Sequence, residues 1–390
     1  MLGKTVLLIL VLEILLRLVF AVYDQCPGRR KSAALPDRRC AADAYGEAEW
    51  VHDYWKEHVA VDVRWEPYVY WRRTEFTGDH VNVTSNGIRR TWNEFPQHDN
   101  ALNILVFGGS AVWGTGARDN HTIPSLISRQ LSESGIHAHV TNLGETGYVS
   151  TQEVILLIRL LQHGARPNVV VFYDGVNDTF SAYQQGIAGL PQNEPNREAE
   201  FDLLNQLDRL APKVIFSRFN RLALMRFVNS IRRRLPGKAS RPQPPRVNTS
   251  PTYSRGSELE QSVVDIYLSN VNIVQSLSKV YAFDALFYWQ PTVFAKAELS
   301  TYEEDVQAAR LELKPFFASV HSVVQSSASK VEHFHDLSTL FADRLPPTYV
   351  DWCHLGEQGN QVVAERVTKD ILTVLERRDT AGQPDRTRLQ

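Results

Sequence analysis

"NILVFGGSAVWGTG", residues 103–116, carries the apolar run Ile104-Leu105-Val106-Phe107 straight into Gly108, Gly109 and Ser110. A short continuous apolar run closed by turn residues is the pattern of a buried parallel strand, so Ser110 is expected at a strand's carboxyl end. Ligands bind at that edge in open α/β sheets, which makes the hydroxyl a candidate nucleophile or ligand contact. Three glycine motifs fail to account for it. A phosphate-cradling loop needs lysine after Gly-x4-Gly, and Gly109-x4-Gly114 is followed by Thr115. A dinucleotide fingerprint lacks its third glycine after Gly114-Thr115-Gly116, and the nucleophile elbow of α/β-hydrolases lacks its last glycine, because Val112 stands there. Alone, a small residue after a strand is an ordinary turn residue, so the case for chemistry must come from elsewhere in the chain.

The sequence around this stretch repeats its rhythm. A helix is expected over 123–131, started by Thr122-Ile123-Pro124, followed by "HAHVTNLG" (137–144), a helix over 150–163, and "PNVVVFYDGVND" (167–178) with its β-branched core. After a break, helices over 259–280 and 302–326 lead to "FDALFYWQP" (283–291) and "KVEHFHDLS" (330–338), and a last helix covers 357–375. Strands alternating with helices imply an α/β fold with a parallel sheet and right-handed crossovers. The break, about 186–256, holds a basic amphipathic run and the proline-rich "PGKASRPQPPRVNTSP", a packed or membrane-surface helix followed by a linker. The tail from Arg377 is charged and expected to be disordered.

With 390 residues, 43% hydrophobic, the chain can build a sizeable core, and a net charge of -2 argues against a nucleic-acid partner. The start is apolar from Thr5 to Val22 except for Glu13 and Arg17, which a helix would pair on one face. Residues 1–24 are read as a membrane anchor for export, with a cleaved signal ending near Val19-Phe20-Ala21 as the alternative. Arg29, Arg30, Lys31, Arg38 and Arg39 follow this segment and only Lys4 precedes it, so the positive-inside rule leaves the orientation open. Cys26 and Cys40 flank a short loop and form either one bridge, worth about 3 kcal/mol, or two unpaired thiols. Residues 25–98 read as an aromatic lead-in with short strands around Val81, Val83 and the Ser85-Asn86-Gly87 turn, and 99–376 as the main domain.

Each strand of the rhythm ends in polar or glycine-rich sequence on the same edge. "NLGETG" places Gly147 where a backbone N–H can approach a ligand, and "DGVND" offers the side-chain amide of Asn177. In "DWCHLGEQGN", Asp351 lies three residues before His354, close enough to hold the imidazole and fix its tautomer. Nucleophile, oxyanion donors, base and orienter then converge, the constellation that acyl transfer needs. Each residue also has a plainer role: a turn for Ser110, an Asx-turn for Asn177, a helix cap for Asp351, a structural imidazole for His354. Gln290 ends the fourth strand on this edge, as a substrate contact or a local backbone partner. Cys353 is read as buried filler rather than as a reactive thiol. The other histidines, His121, His137, His139, His333 and His335, lack metal-ligand spacing, and no metal is expected.

In order and spacing, "FGGS", "NLGETG", "GVND" and "DWCH" resemble the four blocks of the SGNH or GDSL-type hydrolase family, over about 100–180 and 255–376. The lead-in "SNGIRR" is similar to the stretch before the first block in membrane-anchored bacterial members. Gly109 departs from the family pattern, which often has aspartate there. The resemblance implies a three-layer α/β/α sandwich on a flavodoxin-like five-stranded parallel sheet, and a serine esterase needing no cofactor. Ser110, Asp351 and His354 would be its catalytic residues, and the oxyanion would be held by the N–H groups of Ser110 and Gly147 and by Asn177. It also implies an acyl ester substrate, an O-acetylated carbohydrate in anchored members, and a catalytic domain exported to the periplasm or cell exterior. An O-acyltransferase using the same site and a catalytically silent glycan-binding protein are the alternatives. The insert is expected to shape the pocket mouth.

Overall fold

A computed structural model describes residues 37–94, 101–197, 258–328, 331–343 and 346–380, with residues 13 and 15–17 near the amino terminus. The chain divides into two units, 1–36 with 193–249 and 37–192 with 250–390. In the first, the described part is two helical turns; in one of them Arg17 Nε donates to Glu13 Oε1 at 2.8 Å, the pair their spacing predicts. The rest of the anchor-or-signal segment, Cys26, the insert from 198 onward and the tail from 381 lie outside the described residues. Among the described residues no helix is long and apolar enough to cross a membrane.

The second unit opens with the lead-in: helix α1 (Val51–Ala60), hairpin β1 (Val63–Glu66) with β2 (Tyr70–Arg73), and hairpin β3 (Phe76–Thr77) with β4 (Asn82–Val83). The alternating core follows as β5 (Leu102–Gly108), α2 (Ser110–Trp113), α3 (Ile123–Glu133), β6 (Ala138–Asn142), α4 (Ser150–Gln162), β7 (Val169–Asp174) and α5 (Val176–Gln185). After the insert come α6 (Glu258–Tyr281), β8 (Asp284–Trp289), α7 (Thr301–Ala308), α8 (Lys314–Ser327), β9 (Phe334–Asp336) and α9 (Glu357–Thr380).

The expected parallel sheet is present, with five strands ordered β6-β5-β7-β8-β9 and every neighbouring pair parallel. Side chains alternate across each strand. Ile104, Val106, Val169, Val171 and Leu286 face one layer with Ile127 and Leu131 of α3 and Val363 and Val367 of α9. Leu105, Phe107, Val170, Phe172 and Phe287 face the other, with Leu157 of α4, Val264 and Val271 of α6 and Val320 of α8. Both faces are covered, which is why the strand sequences read as continuous apolar runs rather than as alternating ones. Phe107, Phe172 and Phe287 share one register row and stack at centroid distances of 5.0 and 5.6 Å.

Local signals explain the element ends. Thr122 caps α3, its hydroxyl accepting from the Ser125 N–H at 3.3 Å, with Pro124 in the first turn where no N–H is needed. One expectation fails: the single helix over 302–326 is two, α7 and α8, separated by a turn at Leu311–Leu313. Pro315 is the cause, because it has no N–H to give and its ring clashes with the carbonyl four residues back. The last helix runs past the expected Leu375 to Thr380, where Arg378 donates to the Asn168 carbonyl at 3.1 Å and pairs with Asp284. The order of the sheet matters most for function. From β5 the chain steps to β6 on one side and then crosses to β7 on the other, so a crevice opens at the carboxyl ends of β5 and β7.

Candidate active site

Ser110 is the first residue of α2, directly after β5 and Gly109. His354 and Asp351 lie in the loop before α9, and Asn177 in the first turn of α5 after β7. The Ser110 hydroxyl donates to His354 Nε2 at 2.6 Å. On the far side of the ring, Nδ1 donates to Asp351, at 2.7 and 2.8 Å from its two oxygens. Using both nitrogens fixes the tautomer: the proton sits on Nδ1 and the lone pair of Nε2 faces the serine. Burial would raise the Asp351 carboxyl, but the charge and hydrogen bond of His354, with backbone N–H groups of Cys353 and His354, outweigh it and hold the group well below the usual range. Asp351 is therefore an anion at neutral pH, able to support an imidazolium.

The donor side is built just as locally. Gly109 leaves no room for a side chain, since a Cβ there would stand 2.1 Å from Asn177 Nδ2. The amide of Asn177 thus packs on the backbone of the Ser110 turn, and the absence of a side chain at Gly109 is what permits it. Gly147 sits at φ +80°, a left-handed conformation that glycine adopts without strain, with Trp71 and Gln192 beside it. Hairpin β1–β2 pins this loop: Trp71 Nε1 donates to the Thr146 carbonyl at 2.8 Å, and the buried Glu145 accepts from the Arg73 N–H at 2.9 Å.

Three residues here escaped the sequence reading. Gln192 Nε2 donates to Asn177 Oδ1 at 3.3 Å, which fixes the amide so that Nδ2 faces the Ser110 turn. Arg39 lies over the Trp55 ring at 3.7 Å and brings a guanidinium nitrogen to 4.0 Å from Asp351 Oδ2. Arg89, from "SNGIRR", is fully buried; it donates to the carbonyls of Trp113, Gly114 and Ala117 at 2.7 to 3.0 Å and pairs with Asp119. It clamps the loop that follows α2. Contacts between residues tens to hundreds of positions apart leave no local spacing signal, although "SNGIRR" marked the right segment for Arg89.

The Gln290 backbone N–H donates to the Asp174 carbonyl at 2.9 Å, which continues the pairing of β7 with β8 rather than forming the local bond weighed above, and the residue lines a cavity. Cys40 is a free thiol, and its partner in the weighed bridge, Cys26, lies outside the described residues. Burial pushes the Cys353 thiol well above its ordinary value, which makes it an inert neighbour of His354. Asp351, Cys353 and His354 bring donor atoms within 4.8 Å of one another, the one such group among the described residues. It suits a metal poorly, because both ring nitrogens are engaged by Asp351 and Ser110 and the thiol is held protonated.

No family model matches this chain, and no curated protein matches it. Among solved structures it is similar to a member of the lipolytic protein G-D-S-L family from Veillonella parvula, at 10% identity over 69% of this chain and 97% of that one, with a TM-score of 0.37. A family 3 carbohydrate esterase of Clostridium thermocellum is 15% identical over 71% of this chain and 99% of that one, at 0.33. Axe2, an acetylxylan esterase from Geobacillus stearothermophilus, is 12% identical over 70% and 96%, at 0.34. At these identities and scores the functional reading rests on the geometry of the site.

Proposed function

We infer that this chain is a serine hydrolase that cleaves acyl esters through a covalent acyl-enzyme. One observation carries the reading: a serine, a histidine and an aspartate joined through opposite ring nitrogens, at the crevice where the strand order reverses. His354 takes the proton of Ser110 as the hydroxyl oxygen attacks the ester carbonyl, and Asp351 steadies the imidazolium. The N–H groups of Ser110 and Gly147 and the amide of Asn177 hold the oxyanion. His354 then passes its proton to the leaving alcohol, and water, activated by the same imidazole, releases the acid and restores Ser110.

The substrate reading, an O-acetylated carbohydrate, and the export of the catalytic domain behind an amino-terminal anchor extend this proposal from the resemblance in the sequence. The test is labelling of the full chain by a fluorophosphonate probe, beside hydrolysis of p-nitrophenyl acetate and beside Ser110→Ala. Labelling and turnover that vanish in the variant are the expected outcome. A folded protein that takes no label overturns the hydrolase reading in favour of a silent glycan binder. Product analysis with an added alcohol separates hydrolysis from acyl transfer, and fractionation of cells reads the anchor.

A further inference from the structure

Asp351 has a charged neighbour on the lead-in, Arg39. It lies in the short turn Arg38–Ala41, capped by Asp37, whose Oδ1 accepts from the Arg39 N–H at 3.0 Å. Two contacts fix the guanidinium. Its Nε and Nη2 donate to the two oxygens of Asp37 at 3.0 and 2.7 Å, and its Cζ stands 3.7 Å over the ring centre of the buried Trp55. The remaining nitrogen, Nη1, is left 4.0 Å from Asp351 Oδ2. That is too long for a hydrogen bond, so the Asp351 carboxylate stays with the N–H groups of Cys353 and His354 and with the His354 ring, while the positive charge still acts on it.

The other titratable groups around the triad are neutral near pH 7 or paired elsewhere. Burial pushes the hydroxyls of Tyr45 and Tyr302 and the Cys353 thiol up, and the His58 imidazole well below its ordinary value. Arg38 pairs with Asp305 at 3.1 Å, and Arg310 with Glu312 at 3.9 Å. Among the described residues, Arg39 is the one Lys or Arg within 4.0 Å of the Asp351 carboxylate. A cation there offsets part of the field that stabilises the imidazolium, so His354 gives up its proton at lower pH and is free to act as base there. Asp37 opposes this by partly neutralising Arg39.

We propose that Arg39 is a positioning residue that acts through Asp351 and sets the pH at which His354 becomes a base, with Asp37 as its counterweight. The proposal rests on the esterase reading above. Its first test is the acid limb of kcat/KM for p-nitrophenyl acetate in the wild type, Arg39→Gln, Arg39→Lys and Asp37→Asn. Loss of the positive charge in Arg39→Gln should move the limb up by about 0.5 pH unit, and loss of the counter-charge in Asp37→Asn should move it down by a similar amount. Arg39→Lys keeps the charge and should stay nearer the wild type than Arg39→Gln does. Rates that change with the limb unmoved would mark packing alone and overturn the proposal, as would shifts of one sign in Arg39→Gln and Asp37→Asn, or equal shifts in Arg39→Gln and Arg39→Lys. The second test needs no turnover: the His354 ring C–H resonance is followed against pH in Ser110→Ala protein, alone and with Arg39→Gln or Asp37→Asn. Midpoints that rise from Asp37→Asn through Ser110→Ala alone to Arg39→Gln support the proposal, and a common midpoint overturns it. Because the two variants are expected to shift in opposite directions, either one decides by its sign when the other fails to fold. Failure of the esterase reading is seen separately, as a wild type that neither labels nor hydrolyses p-nitrophenyl acetate while the midpoints still separate.

Discussion

Two groupings of serine, histidine and aspartate stand at the carboxyl edge of the sheet, and their wiring differs. In Ser110, His354 and Asp351, the serine bonds one ring nitrogen and the carboxylate the other. In Ser338, His321 and Asp336, both partners meet the same nitrogen, Nε2, with the Asp336 carboxylate at 3.0 Å. A proton on that nitrogen bonds the carboxylate and bars it from accepting the serine's proton; without it, the carboxylate has nothing to hold. Asp336 also accepts from the Ser338 backbone N–H at 2.9 Å, so the second grouping works as a turn lock rather than a relay. Residue types alone do not make a triad; the relay depends on opposite faces of one ring.

The largest effect should test that difference directly. Ser110→Ala should lower kcat/KM for p-nitrophenyl acetate about 10⁴-fold or more, the scale seen when a serine nucleophile is removed. Ser338→Ala should cost less than about tenfold in the same assay. Comparable losses at the two serines would erase the distinction between relay and lock.

The first grouping also has supports in the loop after α2. Arg89 spends its donors on the loop after α2, and a buried guanidinium paired with Asp119 is expensive to remove. Arg89→Met should destabilise the fold by about 3 to 5 kcal/mol, read as a shifted urea midpoint, because it leaves buried Asp119 without its opposite charge and takes a donor from three carbonyls. A midpoint within error of the wild type would mean the loop holds itself. A smaller loss is expected in the chemistry at Asn177. On its proposed role as an oxyanion donor, Asn177→Ala should reduce kcat about a hundred- to a thousand-fold with the fold intact. A change confined to KM would instead make Asn177 a binding residue.

The comparison also shows what a sequence can and cannot display. The β5 and β7 runs were legible because both faces of those strands are buried, and Asp351 and His354 because three residues separate them. Ser338 and His321 are 17 apart and on different elements, so no motif announced their meeting. Arg39 and Gln192 were hidden for the same reason, since their roles exist only once the lead-in and the start of the insert have folded against the triad. The break between α7 and α8 was different. Pro315 stood in plain view, but the apolar spacing on either side of it reads as one helix unless the proline is given priority.

Carboxyl groups sharpen the contrast once more, through charge. The acids of both groupings are held below their ordinary values against the cost of desolvation, Asp351 by the charge and hydrogen bond of His354 and Asp336 by hydrogen bonds from His321 and Ser338. Asp174, at the end of β7, goes the other way: burial raises it to about 8, and the Asp178 charge adds to the rise. Glu153 is raised as well, first by burial and then by Asp174. The folded protein therefore keeps a proton on Asp174 up to about pH 8, whereas the unfolded chain releases it near pH 4. Between those values the unfolded state binds fewer protons, so this group's contribution is complete at low pH and is lost as pH rises, by about 1.4 kcal/mol per unit. Asp174→Asn should flatten the decline of Tm between pH 5 and 8 and leave the acid side, governed by Asp351 and Asp336, where it was. Parallel curves for variant and wild type would mean that Asp174 is already ionised in the fold.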